Sequence, residues 1–151
     1  MSSDQTMRDL MANLPVPEFD ATPWAPPPPL AEATVAIVTS AGLHRVDQDP
    51  FAGRGDHSYR MFDREDRGLV LGHWSSNFDR SAFVLDHNVV YPIDRLEELA
   101  ADGIIGSVAP RHVAFAGNQP DTVAEVRLDT GPAAAAELRA DGVDVAILTP
   151  V

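Results

Sequence analysis

Polar side chains suited to proton transfer follow the apolar runs that are predicted to form strands. His44 comes after the run 34–39, His73 comes directly after the run 68–72, and Asp79 follows six residues after His73. In α/β proteins, ligands bind beyond the carboxyl ends of parallel strands. An imidazole can take or give a proton near neutral pH. We therefore predict these three residues to be the catalytic groups, although Asp79 fits equally well as a scaffold residue that pairs with its neighbours.

A second set of polar residues has the spacing of a substrate-binding strand and loop. Asp56, Ser58 and Arg60 alternate along the chain, so a strand would place all three on one face. There the arginine could clamp a substrate carboxylate in bidentate fashion, or it could form a salt bridge with a neighbouring acid. Asp86 and Asn88 are also predicted to bind substrate. The alternative is an Asx turn that binds only backbone, and for Asn88 this structural role is favoured.

The histidines do not have the spacing of a metal site. No H-x3-H or H-E-x-x-H pair occurs in the sequence, so no metal ligand is predicted, and no particular cofactor is indicated. His112 precedes an apolar run and is interpreted as structural. One alternative stays open, in which folding assembles a two- or three-ligand zinc, iron or copper site from other histidines together with Asp79 or Asp86. Those histidines are His44, His57, His73 and His87, and the favoured interpretation is that they are surface or hydrogen-bonding residues.

Composition narrows the class of protein. The 151-residue chain is long enough for one domain with a core, and 44% of its residues are hydrophobic. Its net charge of -12 argues against nucleic acid and against an anionic membrane surface as partners. No stretch approaches the roughly 20 apolar residues that span a bilayer, and no signal peptide is evident, so we expect a cytoplasmic protein. The chain has no cysteine, which excludes disulfides and thiol catalysis by these residues alone.

The first 30 residues are predicted to form an arm that precedes a single α/β domain at 31–151. Residues 1–14 have helical spacing of apolar residues, and the four prolines at 26–29 impose an extended polyproline II strip. Such a strip could bind the aromatic groove of a partner. The favoured interpretation is a stiff arm laid over the domain, with Phe19 and Trp24 as its apolar anchors.

The stretch 86–106 is predicted to be central to the domain. Residues 89–91 are β-branched and aromatic, which suits a short buried strand. Pro92 and Asp94 then begin a helix with one apolar stripe, and Gly103 ends it. Earlier in the chain, the turn-rich residues 45–57 are predicted to form a long loop, and such loops are usually functional or mobile.

The order of the predicted strands and helices indicates an α/β sheet that is mainly parallel. The predicted helix 132–141 begins at a proline and ends before Gly142. Because strands alternate with crossover helices, the strands are expected to run in one direction. The predicted strands are 34–39, 58–62, 68–72, 106–109 and 143–148.

Five motifs in order give the chain a resemblance to a known family. They are GDHSYR (55–60), H-x5-DR (73–80), D-x-NVVYPIDRL (86–96), DGIIG (102–106) and GVDVAILTP (142–150). The chain resembles, over about residues 30–151, the N-terminal half of the selenoprotein B component of the glycine, sarcosine, betaine and D-proline reductases. This resemblance implies a Rossmann-like, three-layer α/β fold. It also implies reductive cleavage of a C–N bond in a small amine or amino acid.

The chain departs from this family in its reactive group. In family members a selenocysteine or cysteine follows shortly after the strand that here ends at Thr149-Pro150, and a low-pKa selenol or thiol is the nucleophile. This sequence ends at Val151 and has neither residue. We therefore expect a subunit of a reductase-like or lyase-like enzyme that acts on a small polar molecule. Its active site would be completed by a companion subunit that supplies the thiol or another redox group.

There are two alternatives to an enzyme whose active site is divided between this chain and a companion subunit. The chain could be a catalytically silent binding or scaffold subunit of the same fold, or a metalloenzyme that uses its His and Asp residues. A chain that ends just after a core strand is expected to leave an apolar sheet edge uncovered. A companion subunit could cover that edge, and so could self-association.

Overall fold

The computed structural model describes residues 3–13, 20, 22, 24–53, 55–75, 78–117, 119 and 124–151. Its helices are α1 (Ser3–Ala12), α2 (Ser81–Leu85), α3 (Ile93–Ala101) and α4 (Gly131–Ala140). Its strands are β1 (Thr34–Thr39), β2 (Leu43–Arg45), β3 (Tyr59–Asp63), β4 (Leu69–Leu71), β5 (Ser107–Val108), β6 (Arg111–Phe115) and β7 (Val145–Thr149). None of the described helices has the length and apolar character of a membrane span.

Strand β1 lies at the centre of a five-stranded sheet. β7 pairs with one edge of β1 in parallel, and β5 and β6 pair in parallel with successive parts of its other edge. β3 pairs antiparallel with β6, which makes the sheet mixed, while β2 and β4 form a separate antiparallel pair. The α/β prediction is therefore confirmed. The Rossmann-like, three-layer description remains a prediction, and no helix lies between β1 and β3 in the described residues.

The core lies on both faces of β1 because its residues alternate between two apolar clusters. Val35 and Ile37 pack with Ile93 and Leu96 of α3 on one face. On the other face, Ala36 packs with Ala134 and Leu138 of α4. A strand covered on both faces needs the continuous apolar run from which β1 was predicted.

The stretch 86–106 folds partly as predicted. Helix α3 follows Pro92, and Gly103 ends it with a φ of +70°, a left-handed conformation that is cheap only for glycine. The predicted strand at 89–91 is wrong, because His87–Val89 forms a 3-10 turn in which the Asp86 side chain accepts a hydrogen bond from the Asn88 N–H. Val90 and Tyr91 are nevertheless buried, as their apolar character indicated.

The C-terminal helix and strand are confirmed within two residues at each end, but β7 is not a core strand. It pairs only with β1 among the described strands, and its residues alternate between half-buried and exposed. Leu148 is 70% exposed. β7 is less buried than predicted because it is an edge strand, which has a neighbouring strand on one side only.

The N-terminal arm is described in part. Helix α1 is present, while Leu14 and Phe19 lie outside the described residues. Trp24 is 74% exposed, so its side chain does not anchor the proline strip to the domain. The arm and the domain boundary at residue 30 remain predictions.

Candidate active site

His73 lies beside the carboxyl end of β7. The strand that it follows, β4, is antiparallel to β2 and outside the main sheet, so the parallel strand expected before His73 is not found. The residue follows β4 and is 3% exposed. Its Nε2 lies 3.1 Å from the main-chain oxygen of Val151, just beyond the end of β7. The imidazole also stacks on Phe78, with ring centroids 4.5 Å apart. This buried histidine therefore meets the strand end at which α/β sheets place ligands.

The hydrogen bonds of His73 fix its tautomer. The Ser75 N–H donates to Nδ1 over 3.2 Å, so Nδ1 carries no proton in the neutral ring. Nε2 then carries the proton and donates it to the Val151 oxygen. In this arrangement His73 is a hydrogen-bond donor at the site, because service as a base through Nδ1 would require the Ser75 contact to break.

Thr39 and Ser40 hold the ends of β1 and β7 together beside His73. The Ser40 N–H and the Thr39 hydroxyl both donate to the Thr149 oxygen, over 3.2 Å and 3.4 Å. The Ser40 hydroxyl accepts a hydrogen bond from the Val151 N–H over 2.9 Å. Two small hydroxyl side chains thus bind the backbone at the end of β7 directly.

Gly117 gives His73 the room that it needs. The glycine follows β6. A Cβ placed on it would overlap the His73 ring and come within 2.6 Å of the main-chain oxygen of Ser40. No larger residue fits there while the imidazole keeps its position. Ser40, His73, Gly117 and Val151 therefore form one compact group, which we call the carboxyl-edge cluster.

An open groove of about 180 Å³ runs beside the carboxyl-edge cluster. Its lining is mostly apolar and includes the hydroxyl-bearing residues Thr39, Ser40 and Thr149, and it offers a small molecule a place against the strand ends. The groove is lined by Val38, Thr39, Ser40, Phe115, Leu148, Thr149 and Pro150.

Asp56, Ser58 and Arg60 form a network, but they do not share one face of a strand as predicted, because β3 begins at Tyr59 and the first two residues precede it. The three residues bind one another and the loop. The Asp56 carboxylate accepts from the Ala52 N–H at 2.7 Å and from the Ser58 N–H at 2.9 Å, and the Ser58 hydroxyl also donates to it. Burial opposes ionisation of Asp56, yet these hydrogen bonds outweigh it and lower its pKa.

Arg60 completes this network without facing a free carboxylate. Its guanidinium donates to the Ser58 hydroxyl at 2.9 Å and to the Asp49 carbonyl at 3.1 Å, and it lies 4.4 Å above the centre of the Phe51 ring. These contacts secure the described part of the loop 46–58. The predicted clamp on a substrate carboxylate would need the guanidinium to leave them.

Replacing Asp56 with alanine is expected to lower the free energy of unfolding by about 2 kcal/mol. The reason is that the Ala52 N–H, the Ser58 N–H and the Ser58 hydroxyl would all lose the carboxylate that accepts their hydrogen bonds. Urea unfolding measures the effect. Asp49→Ala is the matched control in the same loop, since Asp49 contributes its main-chain carbonyl and should change stability little. Equal losses in the two variants would show that the Asp56 network does not secure the loop.

His44 is buried in the β2–β4 pair. Its Nδ1 lies 3.1 Å from the Gly42 carbonyl, and its ring meets the Phe51 ring edge-on at 6.2 Å. Phe51 therefore connects His44 to Arg60. The loop that carries these contacts also reaches the end of β6, since the Gln119 amide donates to the carbonyls of Asp56 and Ala116.

The other predicted site residues bind neighbouring backbone. Asp79 is exposed and accepts from the Ser81 N–H and hydroxyl at the start of α2, and these bonds lower its pKa. The Asn88 N–H and side-chain amide donate to Asp86 and lower its pKa in the same way. Asn88 also accepts from the Asp94 N–H at the start of α3. The catalytic and binding roles of these residues remain predictions.

Sequence reasoning missed Ser40, Gly117 and the end of β7 as parts of the site. Ser40 directly follows a buried strand, which is a usable signal for a group at a carboxyl end. Gly117 gives only a turn signal in the sequence. As for metals, no group of three or more His, Asp or Glu residues suited to holding an ion occurs in the described part of the chain.

Comparison with known proteins identifies the family. The model of the family described as glycine/sarcosine/betaine reductase selenoprotein B matches residues 5–151. The chain belongs to this family, so the resemblance that the motifs indicated is confirmed, and the match begins at residue 5 and so includes most of the N-terminal arm that the motifs left outside. No solved structure matches the chain.

The chain is also similar to named subunits of such reductases. It is 32% identical over 152 residues to the D-proline reductase subunit gamma of Acetoanaerobium sticklandii, covering 99% of this chain and 62% of that relative. It is 32% identical over 144 residues to the glycine reductase complex component B subunit gamma of Carboxydothermus hydrogenoformans. It is 28% identical over 147 residues to the betaine reductase complex component B subunit beta of Peptoclostridium acidaminophilum. These alignments cover 90% and 93% of this chain, and 32% and 33% of the two relatives.

Proposed function

We propose that the chain is a cytoplasmic subunit of a reductase that acts on a small amine, amino acid or related polar molecule. The substrate lies at the carboxyl-edge cluster, in the groove beside Ser40 and Leu148. The observation that carries this proposal is the buried His73, whose Nε2–H points at the strand end where ligands bind in α/β sheets. For Nε2–H to donate to a substrate oxygen, it must first release the Val151 main-chain oxygen that it binds in the structure.

The reducing group comes from a companion subunit in this proposal. Reductive cleavage of a C–N bond consumes two electrons and two protons, one proton for the departing nitrogen and one for the carbon. Two thiols, or a selenol and a thiol, give those electrons when they are oxidised to a disulfide or a selenenyl sulfide, and the chain has no cysteine. The printed names of the relatives, which call them subunits and complex components, support a division of the site between polypeptides.

The remaining predicted residues have positioning roles in this proposal. Asp56, Ser58 and Arg60 secure the loop beside the end of β6, and His44 contacts the same loop through Phe51. Asp79, Asp86 and Asn88 fix the starts of the helical segments that follow His73. None of these residues needs to touch the substrate for the site to form.

His73→Asn in the complex purified from the native host is expected to lower turnover by at least about 100-fold, because the donor at the strand end is lost. The assay supplies a dithiol reductant and tests glycine, sarcosine, betaine and D-proline in turn. His57→Asn is the matched control, since His57 is an exposed histidine in the loop and should retain full activity.

The source of the thiol is tested separately by alkylation with iodoacetamide. The reagent should abolish turnover of the complex, although this chain offers it no thiol. Turnover by the isolated chain, or full activity of the alkylated complex, would contradict the proposal. Normal turnover of the His73→Asn complex would instead favour the scaffold alternative, in which the chain supports a site located elsewhere.

A further inference from the structure

A small, largely enclosed cavity lies between the β2–β4 pair and the segment 83–91. It shares no lining residue with the groove beside the carboxyl-edge cluster. Its volume is about 20 Å³, and roughly 10–15 Å³ are enough to hold one water molecule. Leu43 and Leu69, one from each strand of the pair, form its apolar side together with Phe83 of α2. A cavity lined only by such side chains would stay dry.

The rest of the lining is polar. Asp66 and Arg67 come from the turn before β4, His87 begins the 3-10 turn, and Tyr91 follows that turn. The Asp66 carboxylate accepts from the Asp63 N–H over 2.9 Å, and its remaining lone pairs can accept further hydrogen bonds. The cavity therefore offers polar partners as well as apolar walls.

The Tyr91 hydroxyl needs such a partner. Tyr91 is 1% exposed, and its hydroxyl has no hydrogen-bond partner among the described groups. The rings of Phe62 and His112 meet the Tyr91 ring edge-on, with centroids 5.2 Å and 5.4 Å away, and so fix its position. Burial raises the pKa of Tyr91, so the hydroxyl keeps its proton and remains a donor near neutral pH. A buried donor without an acceptor destabilises a fold.

We propose that this cavity binds one water molecule, which accepts a hydrogen bond from the Tyr91 hydroxyl and donates one to the Asp66 carboxylate. Internal waters usually have two to four polar partners, and these two groups supply the minimum. Arg67 and His87 are further polar groups in the lining. The cavity is too small for an amine or an amino acid, so it is a structural site and not a second substrate site.

The water joins segments that are distant in the sequence. Asp66 lies in the turn that leads into β4, whereas Tyr91 lies just before α3. The water thus secures the β2–β4 pair against the segment from which α3 begins, and β4 is the strand that His73 follows. This inference rests on the cavity alone and is independent of the proposed function.

Urea unfolding of Tyr91→Phe tests whether the hydroxyl has a partner. If it binds the water, its removal should lower the urea concentration at the midpoint of unfolding. If the hydroxyl is unpaired in the folded protein, its removal should leave the midpoint unchanged or raise it, and this result would overturn the proposal. Tyr59→Phe is the matched control, since Tyr59 is half-buried against Phe115 outside the cavity and its replacement should leave the midpoint unchanged.

A double-mutant cycle tests the second partner of the water. The loss caused by Tyr91→Phe should be smaller in an Asp66→Ala background, because the bridge is already broken there. Strictly additive losses would overturn the bridge.

A high-resolution crystal structure of the protein tests the site directly, and it decides the outcome if Asp66→Ala does not fold. A density peak should lie within hydrogen-bond distance of the Tyr91 hydroxyl and the Asp66 carboxylate, and it should be absent from Tyr91→Phe. A hydroxyl bonded directly to another protein group would overturn the proposal. A wild-type midpoint that is higher in ammonium chloride than in sodium chloride of equal concentration would also overturn it, in favour of a bound cation.

Discussion

Gly117→Ala is expected to lower the free energy of unfolding by about 3 kcal/mol, at the upper end of the usual cost of overpacking. The added Cβ would overlap the His73 imidazole and approach the main-chain oxygen of Ser40 to 2.6 Å. His73 is held by Ser75, Phe78 and Val151, so its ring cannot move away without breaking contacts. Urea unfolding measures the loss directly.

Gly68→Ala is the matched control for this substitution. Gly68 lies before β4, has no left-handed backbone conformation, and a Cβ on it would meet no atom within 4 Å. Alanine there should be neutral or stabilising by a few tenths of a kcal/mol, because it restricts the unfolded chain. A second comparison places Gly117→Ala in a His73→Ala background, where the cost should fall. Equal effects of Gly117→Ala and Gly68→Ala would contradict the geometry of the carboxyl-edge cluster.

The elements that the sequence predicts well are those with local signals. Strand β1 is a continuous apolar run, and α4 has a proline near its start and Gly142 after its end, with a φ of +77°. Residues 89–91 show the limit of such signals. Their β-branched and aromatic character indicates burial correctly, but the preceding Asp86 side chain binds the Asn88 N–H and turns the backbone into a 3-10 conformation.

The carboxyl-edge cluster could be predicted only in part, because its contacts join distant parts of the chain. His73 was singled out because it directly follows an apolar run, although that run forms the antiparallel strand β4 and not a parallel strand of the main sheet. Its partner Val151 lies 78 residues away, and Ser40 lies 111 residues from Val151. No local pattern shows which strand ends will be neighbours. That depends on β7 pairing with β1, which is decided by packing of the whole sheet.

The Asp56, Ser58 and Arg60 network shows the opposite case. The three side chains do lie together, but a strand does not bring them together, because β3 begins at Tyr59 and the Asp56 carboxylate meets Ser58 in the loop before it. The sequence did not show that Arg60 also binds the Asp49 carbonyl and lies over Phe51. An arginine near an acid can bind a ligand or a loop, and only the folded path of residues 45–57 decides between them.

Between about pH 6.5 and pH 4, the protein is expected to lose about 3 kcal/mol of stability through His112 alone. His112 lies in β6 and is fully buried. Its Nδ1 accepts a hydrogen bond from the Ile37 N–H at 3.0 Å, so the neutral ring carries its proton on Nε2, which has no hydrogen-bond partner among the described groups. Burial, together with the nearby positive charges of Arg64 and Arg67, lowers the pKa of His112 from 6.5 to about 4.

The direction of the pH effect follows from this lowered pKa. The unfolded chain binds a proton at His112 near pH 6.5, whereas the folded chain does not bind it until about pH 4. Acidification therefore favours the unfolded state across this range, and the full stability is present only above about pH 6.5. The carboxylates whose pKa values are lowered, such as Asp56 and Asp86, act mostly below this range.

Urea unfolding of the wild type and His112→Asn at several pH values isolates this contribution. Asparagine can still accept from the Ile37 N–H but does not titrate, so the variant should lose much less stability than the wild type between about pH 6.5 and pH 4.5. At higher pH the variant should be the less stable of the two, because it lacks the ring that packs on Tyr91 with centroids 5.4 Å apart. Parallel pH profiles for the two proteins would mean that His112 binds its proton equally well in the folded and unfolded chain.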